Sequence, residues 1–140
     1  LTSNAWAYHG LACLYLKSDP EKAKQFIMEG MALQRERLSY QKEGFKILEK
    51  CGAYKEIDEE YKKQTAENQK NGRIQYYYVA ALAKLERNEE AYHLLNDGDG
   101  IDVSDIREGD SDIQSIWESL HEKVYGEKGH LPHYYNFKVN

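Results

Sequence analysis

Apolar and aromatic side chains recur along this chain at an interval of 34 residues. Four columns show the pattern with no gap between repeats: Leu11, Phe45 and Val79; Leu14, Leu48 and Leu82; Ala23, Ile57 and Ala91; Ile27, Tyr61 and Leu95. A period near 34 is typical of stacked helix-turn-helix units, because each unit buries an apolar face against the next. Gly10 and Gly44 share another column, where a small residue lets two helices approach closely.

The first repeat spans residues 4–37 and predicts two helices. Asn4 can cap the first helix, because its side chain accepts a backbone N–H that the first turn leaves without a partner. The apolar face of this helix consists of Ala7, Leu11 and Leu14. Asp19 is predicted to cap the second helix, with Pro20 at its first position. The face of the second helix consists of Ala23, Ile27 and Met31.

The second repeat spans residues 38–71. Its first helix is predicted to bury Phe45 and Leu48 and to stop at Cys51-Gly52. Its second helix is predicted to run on to a stop at Asn71-Gly72.

The third repeat spans residues 72–96, and Asn88 is predicted to cap its second helix. The core stripe of this repeat consists of Leu82, Leu85, Ala91, Leu94 and Leu95.

Residues 97–111 are rich in Asp and Gly and predict a loop. Residues 112–140 predict a capping helix and an aromatic tail in the same domain. Asp110 or Ser111 is expected to cap this helix. Its apolar face consists of Ile113, Ile116, Trp117 and Leu120. The tail residues expected to pack back on the domain are Leu131, Tyr134, Tyr135 and Phe137.

Composition and charge argue against a nucleic-acid-binding protein and against a membrane-spanning protein. The 140-residue chain carries a net charge of −5, which is unlike the basic balance of a protein that binds nucleic-acid phosphates. No apolar run is long enough to span a membrane, and the chain starts at Leu1 without a signal peptide. We therefore interpret the sequence as a fragment of a longer cytoplasmic protein.

The only cysteines of the chain, Cys13 and Cys51, are expected to be buried thiols rather than a disulfide.

The repeat resembles the tetratricopeptide repeat (TPR) family. Residues 52–57, Gly-Ala-Tyr-Lys-Glu-Ile, are similar to the Gly-x-Tyr-x-Glu-Ala turn of that family, and Trp6 and Gly10 loosely match its first-helix pattern. The resemblance implies an all-α fold: a right-handed helix-turn-helix solenoid of three TPR-like repeats, followed by the capping helix and the packed tail. TPR arrays mostly bind other proteins.

A narrower resemblance covers the last third of the chain. Residues 103–110 with Ile116-Trp117, and the ending 131–139, look similar to the C-terminal end of large bacterial TPR proteins. Those proteins carry an uncharacterised N-terminal domain that is often associated with carbohydrate metabolism. Asn136 and Lys138 depart from the Asp and Arg of that pattern.

The TPR resemblance also implies a peptide-binding concave groove formed by fixed positions of each first helix. In this register the groove residues are Tyr8, Tyr15, Lys42, Lys46, Lys50, Arg73, Tyr76 and Lys84. The three lysines follow one another at i, i+4 and i+8, so they share one helix face. A basic, tyrosine-lined groove in an acidic protein suits an acidic or carboxylate-bearing segment. The alternative is that the lysines form only a solvated helix face.

The acidic loop invites comparison with a calcium loop, which needs oxygen ligands at positions 1, 3, 5 and 12 and Gly at position 6. A register that starts at Asp97 puts Glu108 at position 12, but it puts Ile101 at position 5 and Asp102 at position 6. Placing Gly100 at position 6 fails as well. We predict no metal site here.

The histidines and the possible nucleophiles of the chain do not predict a metal site or a catalytic site. His121, His130 and His133 lack the nearby cysteines that zinc sites usually have. No nucleophile lies beside a base with an orienting acid, and no glycine-rich phosphate loop is present. The sequence therefore predicts no cofactor and no enzyme.

Two hypotheses of function remain open. The first is a protein-interaction module that binds a peptide segment, or the N-terminal part of its own chain. The second is a non-catalytic C-terminal region of a larger bacterial carbohydrate-metabolism protein, serving packing or oligomerisation. Homodimerisation is a further possibility, because a solenoid cut ahead of the first repeat exposes an apolar edge at Trp6, Ala7 and Leu11.

Overall fold

The computed structural model describes residues 3–98, 100–104, 106 and 113–129. Within these residues the chain is helical and contains no strand, which confirms the predicted all-α class. The helices are α1 (Ala5–Tyr15), α2 (Pro20–Leu33), α3 (Leu38–Lys50), α4 (Tyr54–Lys62), α5 (Ala66–Gln69), α6 (Gly72–Lys84), α7 (Asn88–Asn96) and α8 (Ile113–Tyr125). The chain divides into two compact units, Leu1–Gln69 and Lys70–Asn140.

The starts of α1 and α2 confirm both predicted caps. The Asn4 side chain accepts hydrogen bonds from the backbone N–H groups of Trp6 and Ala7, at 3.0 and 3.4 Å. The Asp19 side chain accepts from the Lys22 N–H at 3.2 Å, and Pro20 follows it at the first helical position. These bonds satisfy donors that the first turn of a helix cannot pair internally.

In the first unit, α1 contacts α2 through a different face from the one that its column residues form. The buried residues of α1 are Ala5, Tyr8 and Ala12. Leu14 is 70% exposed, whereas its column partners Leu48 and Leu82 are fully buried. The predicted face of α2 is confirmed, because its three residues, Ala23, Ile27 and Met31, have no exposed surface.

α3 packs closely on α2 because two glycines remove side-chain bulk from the contact. At Gly44, an added Cβ would lie 2.6 Å from Cγ of Met31 and closer still to its sulfur. At Gly30, an added Cβ would meet the ring of Tyr40. The hydroxyl of Tyr40 is buried and donates a 2.6 Å hydrogen bond to the Ala5 carbonyl of α1. Burial raises the pKa of Tyr40 to about 12.

The buried side chain of Gln41 forms hydrogen bonds with the end of α2. The amide nitrogen of Gln41 donates to the carbonyls of Met31 and Gln34, at 3.1 and 2.7 Å. The amide oxygen of Gln41 accepts from Gln64 at 2.7 Å. Gln41 has no exposed surface, so these bonds replace those that water would otherwise make.

The same network continues into α4 and α5. The amide nitrogen of Asn68 donates to the Arg35 carbonyl at 3.3 Å and to the Gln64 side chain at 3.2 Å. The Glu60 carboxylate is 1% exposed and accepts from Arg35 at 2.7 Å and from Lys63 at 3.2 Å. A buried carboxylate needs such partners, because burial without them is costly.

The segment between α3 and α6 differs in part from the prediction. The predicted stop at Cys51-Gly52 is confirmed, since α3 ends at Lys50 and Gly52 has a φ of +68°. The predicted continuous helix up to residue 71 was wrong, because α4 ends at Lys62 and α5 is a separate turn. Asn71 starts a helix instead of ending one: its side chain accepts from two N–H groups of α6.

In the second unit, α6 contacts both α7 and α8. Of the predicted core stripe, Leu82, Ala91 and Leu95 are fully buried, whereas Leu85 is 37% exposed and Leu94 is half-buried. The predicted Asn88 cap was one residue out. Asn88 is the first residue of α7, and Arg87 precedes it without a side-chain capping bond.

The described part of the acidic loop, residues 97–98, 100–104 and 106, contains no helix. Its apolar side chains are buried: Ile101, Val103 and Ile106. α8 buries Ile113, Trp117 and Leu120, as its pattern predicts, while Ile116 is half-buried. The predicted caps Asp110 and Ser111 lie outside the described residues, as do the tail residues Leu131, Tyr134, Tyr135 and Phe137.

Both cysteines are free thiols. The prediction that both are buried was wrong for Cys13, which is exposed, while Cys51 is half-buried. Burial raises the pKa of the Cys51 thiol, and this disfavours the thiolate form that a nucleophile needs.

The Gly44 contact predicts opposite effects for two helical glycines. Gly44→Ala forces Met31 to move and is expected to lower the free energy of unfolding by about 1–3 kcal/mol. Gly10→Ala is expected to raise it by about 0.5–1 kcal/mol, because no atom lies within 4 Å of an added Cβ and Ala favours a helix interior. Urea denaturation measures both. Equal effects of the two substitutions would contradict the conclusion that only Gly44 is required by close packing.

The network at the end of α2 predicts that Gln41→Leu destabilises the first unit. The substitution removes two donors from buried carbonyls and is expected to cost about 1–3 kcal/mol. Gln25→Leu, at an exposed position of α2, is the control and is expected to change stability by less than about 0.5 kcal/mol. Thermal and urea unfolding report both variants. A Gln41→Leu chain as stable as its control would show that the network contributes nothing.

Candidate binding surface

The lysines of α3 lie opposite its buried face. α3 buries Tyr40, Gln41, Gly44, Phe45, Ile47 and Leu48. On its other side, Lys42 is half-buried, while Lys46 and Lys50 are exposed. Lys50 is the last helical residue, where a positive charge interacts favourably with the helix dipole. The three ammonium groups therefore extend along one side of a rigid helix.

Two of these lysines have no anionic partner in their own unit. Within the part of the chain that the structure describes, neither Lys46 nor Lys50 forms an ion pair. Elsewhere in the first unit, Lys24 pairs with Glu21 at 2.8 Å and with Glu56 at 3.3 Å. The hydrogen bond that the Lys24 ammonium donates to Glu21 is the main reason that the pKa of Lys24 is raised, and Glu56 raises it further against the opposing effect of burial.

The tyrosines of α1 contribute to the α1–α2 contact. Tyr8 is 5% exposed, and its ring centroid lies 6.2 Å from that of Phe26. Tyr15 is half-buried, with its ring 5.8 Å from Phe26 and the Lys22 ammonium 4.8 Å above it. Tyr8 therefore offers almost no surface to a ligand, and one face of Tyr15 is covered by a cation. Their predicted groove role stays a prediction.

The other three predicted groove residues lie on α6, in the second unit. Arg73 is half-buried. Tyr76 is 9% exposed, with its ring 5.6 Å from that of Tyr77. Lys84 is exposed at the end of α6, where it lines a shallow cavity of about 250 Å³ together with Lys123 of α8. Their role in peptide binding also stays a prediction.

The cavity beside Lys84 has both polar and apolar walls. Besides the two lysines, it is lined by Ala83, Ser115, Ile116, Ser119 and Leu120. A neighbouring cavity of about 450 Å³ is lined by residues of α8 and by Lys128 and Gly129. Its charged groups are of both signs, because Glu118 and Glu122 face the same space as Lys128. Mixed charges do not select for one kind of ligand.

The acidic loop and the histidines have structural contacts where they are described. Asp102 accepts a 2.9 Å hydrogen bond from the Ser104 N–H, which lowers the pKa of its carboxyl. His121 stacks on Trp117, with ring centroids 5.1 Å apart, and one ring nitrogen lies 2.9 Å from the Glu127 carbonyl. No three His, Cys, Asp or Glu side chains among the described residues lie close enough to hold a metal ion. Glu108, His130 and His133 lie outside those residues.

Comparisons with known proteins leave the chain without a recognised relative. No family model matches it, and no curated protein and no solved structure is significantly similar to it. Counting only the residues that the structure describes, none of the helices is both long and apolar enough to cross a membrane. The candidate surface therefore has to be judged on its own residues.

The exposure of the two lysines predicts that they contribute little to stability. Lys46→Glu is expected to change the free energy of unfolding by less than about 0.5 kcal/mol, and Lys50→Glu by about 0.3–1 kcal/mol, because it reverses the charge at the C-terminal end of α3. Glu60→Gln is expected to lower it by about 2 kcal/mol or more, because the change weakens a buried, charge-assisted pair with Arg35. Circular dichroism melts compare the two. A strongly destabilised lysine variant would mean that these side chains are structural.

Proposed function

We propose that this chain is a TPR-like protein-interaction module and that the basic face of α3 binds an acidic or carboxylate-bearing segment. The observation that carries the proposal is the pair Lys46 and Lys50. They are exposed, lie one turn apart on a rigid helix and have no carboxylate partner in the described residues. In a chain with a net charge of −5, a local basic face attracts an acidic ligand.

Packing supports the repeat arrangement on which the proposal is built. In the first unit α1 contacts α2, α2 contacts α3, and α3 also contacts α1. Contact between successive first helices is what stacked helix-turn-helix units require. A conformational feature recurs at the same period: Gly52 and Glu86, 34 residues apart, both have left-handed φ values of +68° and +61°. The right-handed solenoid of three repeats is part of the same proposal.

The test is a binding titration with fluorescein-labelled peptides at low and high salt. An acidic decapeptide with a free C-terminal carboxylate is compared with its C-terminal amide and with a lysine-rich peptide. Exposed ion pairs are worth about 0.2–1 kcal/mol each. Loss of two pairs in Lys46→Glu/Lys50→Glu should therefore weaken binding of the acidic peptide by about 2- to 30-fold.

A second double variant controls for net charge. Lys17→Glu/Lys55→Glu changes two exposed lysines outside α3 and alters the total charge by the same amount. Binding that is salt-sensitive, and weakened by the α3 variant much more than by this control, supports the proposal. Equal weakening by both variants would mean only a diffuse charge effect. If the unmodified chain binds no acidic peptide, the proposal is wrong.

A further inference from the structure

The outward face of α1 is apolar, and none of the residues that the structure describes covers it. Ala7, Gly10 and Leu14 are exposed, and Leu11 beside them is half-buried. These four residues follow the i, i+3, i+4, i+7 spacing of a single helix stripe. Trp6, beside Ala7 at the start of α1, is 45% exposed. An apolar stripe of this kind on a helix surface usually packs against another element.

The residues 34 positions later show what covers such a stripe. The equivalents in α3 are Gln41, Gly44, Phe45 and Leu48. All four are buried. α3 packs on α2, where the Met31 side chain lies against Gly44 and Gln41 donates to the Met31 carbonyl.

Gly10 is the most informative residue of the stripe. A glycine inside a helix destabilises it relative to alanine, and in this structure nothing within 4 Å of an added Cβ explains its presence. Its equivalent, Gly44, is needed because Met31 occupies the space of a Cβ. Gly10 therefore provides the same opening for a side chain that is supplied by another helix.

We infer that the outward face of α1 is a docking site for a helix-turn-helix unit whose second helix resembles α2. The occupant places an unbranched apolar side chain on Gly10, as Met31 lies on Gly44, and covers Leu11 and Leu14. Ala7 replaces Gln41 in this stripe, so this interface is apolar where the α2–α3 contact has a side-chain amide. This interface continues the α2–α3 packing and does not depend on peptide binding by α3.

The test adds such a unit to the complete chain. A second copy of residues 4–37 is inserted directly before Asn4, which keeps the 34-residue register. In the original chain, Gly10→Ala is expected to raise the thermal midpoint by about 2–5 °C. In the extended chain, the same substitution in the original copy is expected to lower the midpoint, because the added Met31 equivalent then occupies the space above Gly10.

Gly44→Ala is the matched control and is expected to lower the midpoint in both chains. The inference is supported if Gly10→Ala raises the thermal midpoint of the original chain and lowers that of the extended chain, while Gly44→Ala lowers both. A Gly10→Ala substitution that stabilises both chains overturns it, since the added unit then does not dock on α1. Far-UV circular dichroism of the extended chain shows whether the added unit forms its two helices, and an added unit that stays unfolded, and so does not dock on α1, also overturns the inference.

Sedimentation of the original chain tests the competing occupant, a second copy. The inference expects a monomer at micromolar concentration. A dimer that is lost in Leu14→Glu but kept in Leu33→Glu, a change at an exposed leucine of α2, would overturn it, because α1 would then pair with another copy of the chain.

Discussion

The end of α2 imposes the constraint on which the first unit depends. A helix leaves its last carbonyls without internal donors, and here those carbonyls lie where α3 and α5 also pack. Gln41 donates to the carbonyls of Met31 and Gln34, which also accept from backbone N–H groups, and Asn68 donates to the carbonyl of Arg35 just beyond the helix. Because water is excluded, a small displacement of α3 would leave several polar groups unpaired. The network therefore fixes the position of α3 on α2 more narrowly than apolar contact alone would.

The helices that could be predicted are those whose buried face is apolar. α2 has Ala23, Ile27 and Met31 on one side and an Asp-Pro start, so both its face and its first residue followed from pattern and capping rules. The segment after α3 was harder because most of its buried side chains are polar. Asp58, Glu60, Gln64 and Asn68 are all buried, and a search for apolar periodicity passes over them. The break between α4 and α5 was missed for that reason.

The candidate surface was predictable to a similar, limited degree. Helical spacing places Lys42, Lys46 and Lys50 on one side of α3, and the structure shows that two of them are exposed. Spacing cannot show whether a tyrosine is exposed or buried, because its ring is apolar and its hydroxyl is polar. Tyr8 is buried by Phe26 of the neighbouring helix, a contact between helices that no local pattern reveals. The packing of Gly10 could not be predicted either. Its column predicted close contact with another helix, whereas the structure shows open space around an added Cβ.

Packing between neighbours along the chain also has a kinetic consequence for the first unit. α1 contacts α2, α2 contacts α3 and α3 contacts α4, so most partners are joined by short turns. Closing a short loop loses little chain entropy, and proteins rich in local contacts fold quickly for their stability. The hydrogen bonds from Tyr40 to Ala5 and from Asn68 to Arg35 span 35 and 33 positions, so they require more distant segments to meet. Bringing these segments together therefore costs more loop-closure entropy than forming the turns between neighbouring helices.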